Sequence, residues 1–438
     1  MPEVRDPLTP EEREAELARA RPKSLPIAPV AKPAARRLPL ADARDKDALY
    51  RPVYAVWEIT LACDLACRHC GSRAGRARPD ELTTEEALDL IRQMADLGVK
   101  EVTLIGGEAY LRDDWTQLVR AVREHGMLCS ITTGGRGFTR ERATAAKQAG
   151  VQAVSVSIDG LRETHDRVRA LAGSFDAAMA AVRSLREAGI PVYANTQINR
   201  WNAGELEAVF DVLVEQGVRA WLMQITTAMG RAGDECDLLL EPYQVLDVIP
   251  RLAKLKQRAE AHHIRMFPGN NIGYFGPHES VLRASMPDKH GGACGAGRLT
   301  LGLEANGDVK GCPSLPTADY VGGNVRDHSL REIWEQTAPL RFMRDRTVDD
   351  LWGFCRTCYY AEACLAGCNW TTHVLLGRTG NNPYCHHRAL ELLQRGKRER
   401  IVRTRTAEGM PFDYGRFEIV EEAWPAAETE AAPAGHGG

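Results

Sequence analysis

The sequence predicts an α/β fold: a partial (β/α)6 TIM-like barrel followed by a smaller, cysteine-rich domain. Three observations carry that prediction. From Pro52 onward short β-branched runs alternate with amphipathic stretches, the amphipathic stretches stop at glycines, and the residues able to do chemistry fall just after the runs.

In chain order, residues 1–50 mix Pro, Ala and Arg without a sustained period (Leu25-Pro26-Ile27-Ala28-Pro29, then Pro33-Ala34-Ala35-Arg36-Arg37) and read as a flexible arm. Residues 53–60 form the first expected strand, 84–97 the first helix, 101–107 the second strand and 113–125 the second helix. Four more strands are expected at 129–135, 153–159, 192–198 and 220–225, separated by helices ending near Gly150, Gly189 and Gly217. Six strands each followed by a helix pair in parallel through right-handed crossovers, and such a sheet curls into a barrel whose active site lies in the loops after the strands. The barrel is therefore assigned to 51–268, closing with a helix at 242–262. Over 269–398 periodicity fades and Gly, Asn, Pro, Cys and aromatic residues dominate, too little apolar material to form a core without metal staples. Residues 399–438 read as a C-terminal tail, disordered over the Ala-, Glu- and Gly-rich end from 426.

Lys plus Arg (56) and Asp plus Glu (59) nearly cancel, for a formal charge of −3, so no basic surface argues for nucleic acid. No apolar run approaches the ~20 residues that span a bilayer, and the first fifty residues lack a signal peptide's apolar segment and cleavage site; the expected location is cytoplasmic. Ten of the twelve cysteines fall in two groups, a pattern that fits metal ligation in a reducing compartment better than a disulfide scaffold. Cys129 and Cys236 stand apart and read as small buried hydrophobes.

The first group, Cys63-x3-Cys67-x2-Cys70, puts three thiolates on one loop with no fourth ligand nearby. Three thiolates suit a 4Fe-4S cube with one open iron, whereas structural zinc needs four closed ligands. Here the sequence resembles the radical S-adenosylmethionine (SAM) superfamily, whose defining cysteine spacing this is, with His69 in the aromatic position before the last cysteine. Gly106-Gly107-Glu108 is similar to the family's GGE motif, which contacts the amino group of the methionine moiety. Ser157 and Asp159 lie where family members bind the ribose or the methionine carboxylate. Alone, these signals are weak: a Gly-Gly-acid tripeptide is usually a turn before a capped helix. One departure stands out, Thr132-Thr133-Gly134 where the family commonly has Thr-Asn-Gly. The resemblance implies that SAM chelates the open iron and that an electron from the cluster cleaves it to methionine and a 5'-deoxyadenosyl radical.

The second group, Cys294, Cys312, Cys355, Cys358, Cys364, Cys368 and Cys385, is similar to the complete seven-cysteine pattern of the SPASM extension. That resemblance implies two auxiliary 4Fe-4S clusters, an outer one on Cys355, Cys358, Cys364 and Cys385 and an inner one on Cys294, Cys312 and Cys368. Seven thiolates for eight positions leave the inner cluster with an open iron or a non-cysteine ligand. The competing reading is a zinc ribbon, since paired Cys-x2-Cys-like hooks are also zinc's signature.

The same resemblance implies a peptide as the usual substrate: hydrogen abstraction, then oxidation to a crosslink or other modified product, in a ribosomally made peptide. The expected partners are that peptide or its leader-binding protein and an electron donor such as flavodoxin or ferredoxin. Gly269-Asn270-Asn271-Ile272-Gly273-Tyr274-Phe275 and Asn381-Asn382-Pro383-Tyr384-Cys385-His386-His387 look similar to a subgroup, the GDL motif peptide-associated maturases; turn chemistry around metal sites explains the same residues. The alternatives are cofactor or tetrapyrrole biosynthesis on a small molecule, anaerobic sulfatase activation, and electron transfer without catalysis. No general acid, base or hydrogen donor is assigned; Glu58, His69, Tyr110, Arg136 and Arg231 stand at or near strand ends.

Overall fold

Six strands, β1 (Tyr54–Glu58), β2 (Glu101–Ile105), β3 (Leu128–Thr133), β4 (Ala153–Ser157), β5 (Val192–Ile198) and β6 (Ala220–Ile225), pair in sequence order and all in parallel. They belong to a computed structural model that describes residues 40–425. Between them run α1 (Thr84–Leu97), α2 (Trp115–Glu124), α3 (Arg140–Ala149), α4 (Arg162–Arg169), α5 (Ser174–Glu187) and α6 (Leu206–Glu215), with α7 (Val245–Ala261) after β6. Helix α1 shows why the local sequence suffices. Thr83 Oγ1 accepts from Glu86 N at 3.2 Å, Glu86 Oε2 accepts from Thr83 N at 2.8 Å, and Gly98 ends the helix at φ 100°. Its Ala87, Leu90, Ile91, Met94 and Leu97 recur at helical spacing, and all are buried against the sheet.

The sheet is larger than expected, ten strands in the order β10-β9-β8-β1-β2-β3-β4-β5-β6-β7. A seventh parallel strand, β7 (Arg265–Pro268), pairs with β6, and at the opposite edge β8 (Thr300–Leu303) pairs in parallel with β1. β9 (Asp308–Lys310) and β10 (Gly323–Asn324) follow antiparallel. The cysteine-rich region thus continues the barrel's own sheet. Its strands are two to four residues long and lie among glycines, which is why no period announces them. The seam is stitched by buried charge: Arg78 Nη2 lies 3.2 Å from Glu58 Oε1 and 2.9 Å from Glu304 Oε2, and Lys310 Nζ 2.7 Å from Glu304 Oε1.

Two expectations change. Residues 1–39 of the arm lie outside the described residues, but its end is docked: Asp47, fully buried in the short helix Asp45–Ala48, pairs with Arg44 at 2.6 Å, Arg341 at 3.0 Å and Arg344 at 3.1 Å. The expected tail is instead an antiparallel hairpin of β11 (Lys397–Arg405) and β12 (Arg416–Ala423), with 426–438 outside the described residues. Its charged run hid it, because few of its side chains, Glu399, Ile401 and Phe417, are buried. The hairpin tip reaches the loop after β1, where Phe412 N donates to Gly71 O at 3.1 Å and Arg73 Nε to Asp413 Oδ1 at 2.7 Å, and the loop after β6, where Gly230 N donates to Asp413 O at 2.8 Å.

Candidate functional site

The loop after β1 is held as a closed turn. An Ala62–Gly75 bridge and a 3.1 Å bond from Cys63 N to Gly75 O draw its ends together, and Cys70 N donates to Cys67 O at 3.2 Å. Cys63, Cys67 and Cys70 therefore stand close enough to feel one another's charge. Burial raises Cys63, and its neighbour Cys67 raises it further; burial likewise raises Cys67, against Arg169. Burial also works to raise Cys70, but Arg231 and Ser72 outweigh it and Cys70 is lowered. Two guanidinium groups attend these thiols, Arg169 Nη1 at 3.5 Å from Cys67 Sγ and Arg231, whose Nε donates to Cys67 O at 2.8 Å. Arg231 stands near the end of β6, as the sequence suggests, whereas Arg169 was not marked by local sequence and arrives from 102 residues away. The donor set fits a cluster with one open iron: three crowded thiols flanked by fixed cations.

The end of β2 lies directly on this loop. Gly107 N donates to Thr60 O at 2.9 Å and Glu108 N to Ala62 O at 2.8 Å; a Cβ on Gly106 or Gly107 would run into the Thr60 or Ala62 carbonyl. Glu108 accepts from Thr133 Oγ1 and Gly134 N, both at 2.6 Å, and burial pushes it up to about 7 against those bonds. The Thr-for-Asn departure after β3 so finds its place, with the Thr133 hydroxyl fixing Glu108. A cationic amino group arriving beside this carboxyl would favour its ionised form.

Asp159 lies just beyond the end of β4. It is fully buried, with Oδ1 accepting from Gln197 N at 2.8 Å and Oδ2 lying 2.5 Å from Arg169 Nη2 and 3.5 Å from His69 Nε2. Burial opposes its charge, yet Arg169 and His69 outweigh it and hold it below the ordinary carboxylate range. It ties His69 and Arg169, hence the cysteine loop, to the end of β4. Burial pushes His69 down to about 4, leaving it neutral, and its Nδ1 is sealed from solvent without a partner. Ser157 shares register with Asn195 on the concave face. On the same face Leu222 and Phe267 stand side by side, 36% and 41% exposed, while Trp221, Met223 and Met266 on alternate positions are buried beneath the helices.

The seven remaining cysteines separate into a trio and a quartet, the same partition that the resemblance implies. Cys368 feels Cys294 and Cys312, and Cys312 feels Cys294. Cys355, Cys358, Cys364 and Cys385 line one pocket with Phe275, Tyr360 and His387. Burial pushes Cys312 up to about 11 and Cys364 and Cys368 up to about 12, so without metal these thiols stay protonated. A cationic cluster core reverses that balance, and crowded, buried, unbridged thiols are the donors it needs. Among the described residues no three His, Cys, Asp or Glu side chains gather as tightly as around a single ion.

Tyr274 forms the wall between the two sets. Its OH accepts from Cys368 N at 3.0 Å while its carbonyl accepts from Cys385 Sγ at 3.7 Å, in a backbone where Tyr274 and Phe275 both take positive φ, 78° and 56°. Such strain persists only where surroundings impose it. In the same two segments Asn271 bonds both the N–H and the carbonyl of Ile225 (3.1 and 2.7 Å), and Asn382 N donates to Cys355 Sγ at 3.4 Å. Tyr274 and Asn382 thus bond the cysteine sites directly, whereas Asn271 ties its segment to the end of β6.

A parallel half-barrel with three cysteines in its first loop, a polar concave face and two further cysteine pockets is the architecture of a cluster-bearing radical enzyme. The Radical SAM superfamily profile matches residues 57–213, and that of an iron-sulfur cluster-binding domain, SPASM, residues 294–359. An AdoMet-dependent heme synthase of Methanosarcina barkeri is 31% identical over 347 residues, 77% of this chain and 97% of that protein. Mycofactocin maturase MftC of Mycolicibacterium smegmatis is 29% identical over 323 residues, 72% of this chain and 78% of that protein. Among solved structures, Streptococcus suis SuiB bound to S-adenosylmethionine (TM-score 0.61, 15% identity, 77% and 76% of the two chains) and anSMEcpe with bound AdoMet and Cp18Cys peptide (0.61, 15%, 78% and 95%) share the fold. The chain belongs to the radical SAM superfamily and carries a SPASM domain. Its cofactors are a 4Fe-4S cluster, SAM and auxiliary clusters, which together supply reductive cleavage of SAM. Among the described residues no helix is long and apolar enough to cross a membrane.

Proposed function

We propose that this radical SAM enzyme abstracts hydrogen from a side chain of a tetrapyrrole. In this reading Cys63, Cys67 and Cys70 hold the SAM-cleaving cluster, Glu108 and the Gly106-Gly107 backbone receive the amino acid end of SAM, and Ser157 receives its ribose or carboxylate. Cys355, Cys358, Cys364 and Cys385 hold the outer cluster, and Cys294, Cys312 and Cys368 the inner one. The observation that carries the substrate class is the exposed Leu222–Phe267 pair on the concave face, with Arg265 beside it. The Arg265 guanidinium lies 5.9 Å from the Phe267 ring and donates to Tyr193 OH at 3.2 Å. A flat apolar ring edged with carboxylates matches a surface of this kind. The near full-length similarity to a heme synthase supports the same class. The test is anaerobic turnover with SAM, reductant and a carboxylate-bearing iron tetrapyrrole. The expected result is 5'-deoxyadenosine formed in step with a mass change in the macrocycle; its absence with intact clusters ends this reading.

The second reading is maturation of a ribosomal peptide by oxidation or crosslinking, supported by the similarity to a mycofactocin maturase. Turnover with a precursor peptide and a loss of two mass units would favour it. Both readings require a low-potential electron donor, such as flavodoxin or ferredoxin, and a reducing compartment such as the cytoplasm.

A further inference from the structure

We propose that Arg346 is the shared counter-charge of the two auxiliary clusters, a fixed cation between the trio and the quartet that raises the reduction potentials of both. The inference rests on the seven cysteines being cluster ligands. Arg346 follows the helix Ala338–Asp345, and its Nη1 donates to Asn369 Oδ1 at 2.7 Å and Thr379 Oγ1 at 2.9 Å. Asn369 is the neighbour of Cys368 of the trio. Nε and Nη2 are sealed from solvent and donate to nothing, and the Gly380 backbone closes the wall behind Nη2. Among the described residues no carboxylate stands within ion-pair distance of this guanidinium.

Elsewhere in the chain buried guanidinium groups carry a carboxylate: Arg169 with Asp159, Arg344 with Asp47, Arg388 with Glu399. Arg346 does not, and Arg231, likewise without one, stands over the first cysteine loop. The ionisable groups that act on Arg346 include Asp350, Tyr320, Cys294 of the trio and Cys355 of the quartet. Arg346 is half-buried, with Nε and Nη2 out of solvent; holding a cation there without a carboxylate is costly, and the thiolates of two clusters are the anions that would offset it. Its two unused N–H groups are donors for cluster sulfur, and nearby positive charge favours the reduced, more negative state of a cluster.

The test uses the anaerobically reconstituted full chain as wild type, Arg346→Lys and Arg346→Gln. Iron and sulfide are counted first. Auxiliary potentials are then read by redox titration monitored by electron paramagnetic resonance, the first cluster being set apart by its response to SAM. In Arg346→Gln the reduced-to-oxidised ratio at a fixed potential is expected to fall about tenfold, which is about 59 mV for one electron, and Arg346→Lys is expected to recover most of it. Full iron with unmoved potentials in Arg346→Gln overturns the proposal. If Arg346→Gln instead loses iron at the auxiliary sites, retention by Arg346→Lys supports the proposal, whereas equal loss in both overturns it, because shape and not charge would then matter. A wild-type chain with about four irons rather than about twelve defeats the ligand assignment itself, an outcome the iron count alone distinguishes.

Discussion

Asp159 is a carboxylate with no solvent contact whose charge is balanced by one guanidinium. Removing that partner leaves the charge stranded, so Arg169→Met is expected to destabilise the iron-free protein by about 3–5 kcal/mol, measured by urea unfolding at neutral pH. His165, whose Nδ1 accepts from Asp159 N at 3.1 Å, is pushed down to about 3 by burial from 6.5. Between those values the unfolded chain binds the proton and the native one does not, so His165 contributes stability above pH 6.5 that is lost as the pH falls toward 3. Unfolding free energies at pH 7 and 5 are expected to differ less in His165→Gln than in the wild type. The cysteines and the GGE tripeptide were legible in the sequence because their meaning lies in short spacings. Arg169, the contact of Arg231 with the first cysteine loop and the sealed state of Asp159 were not, because the fold brings those groups together from distant segments.

At the scale of elements, α1, β5 and β6 were readable to the residue. A capping box, a glycine stop and an unbroken apolar period act within one element and leave little to tertiary context. Leu90→Ala on α1 should accordingly cost about 2–5 kcal/mol in thermal or urea unfolding. β7 to β10 and the β11–β12 hairpin escaped because pairing with distant strands, not local period, makes them strands. The β1–β8 seam depends on the buried set Glu58, Arg78, Glu304 and Lys310, in which Lys310 is fully buried. Lys310→Met is expected to strip protection from the β8–β10 amides in hydrogen exchange while the amides of β4 and β5 keep theirs.

Across the whole molecule one sheet carries the first cysteine group and two of the inner trio: Cys294 precedes β8, Cys312 follows β9, and the first group follows β1, to which β8 is bonded. Geometry is thereby shared between barrel and SPASM domain, and after residue 268 buried charge and cysteine sites join an apolar core that continues through Leu301, Leu303, Ile333 and Trp334. The hairpin tip extends this unity, since Asp413 grips Arg73 beside the first cysteine loop. Asp413→Ala is expected to leave cluster loading intact and to speed bleaching of the visible iron–sulfur absorbance in air severalfold. That grip also orders events in time. The latch lies 340 residues downstream of the residue it holds, so during synthesis the first cysteine loop lacks this contact until one of the last segments made folds back over it.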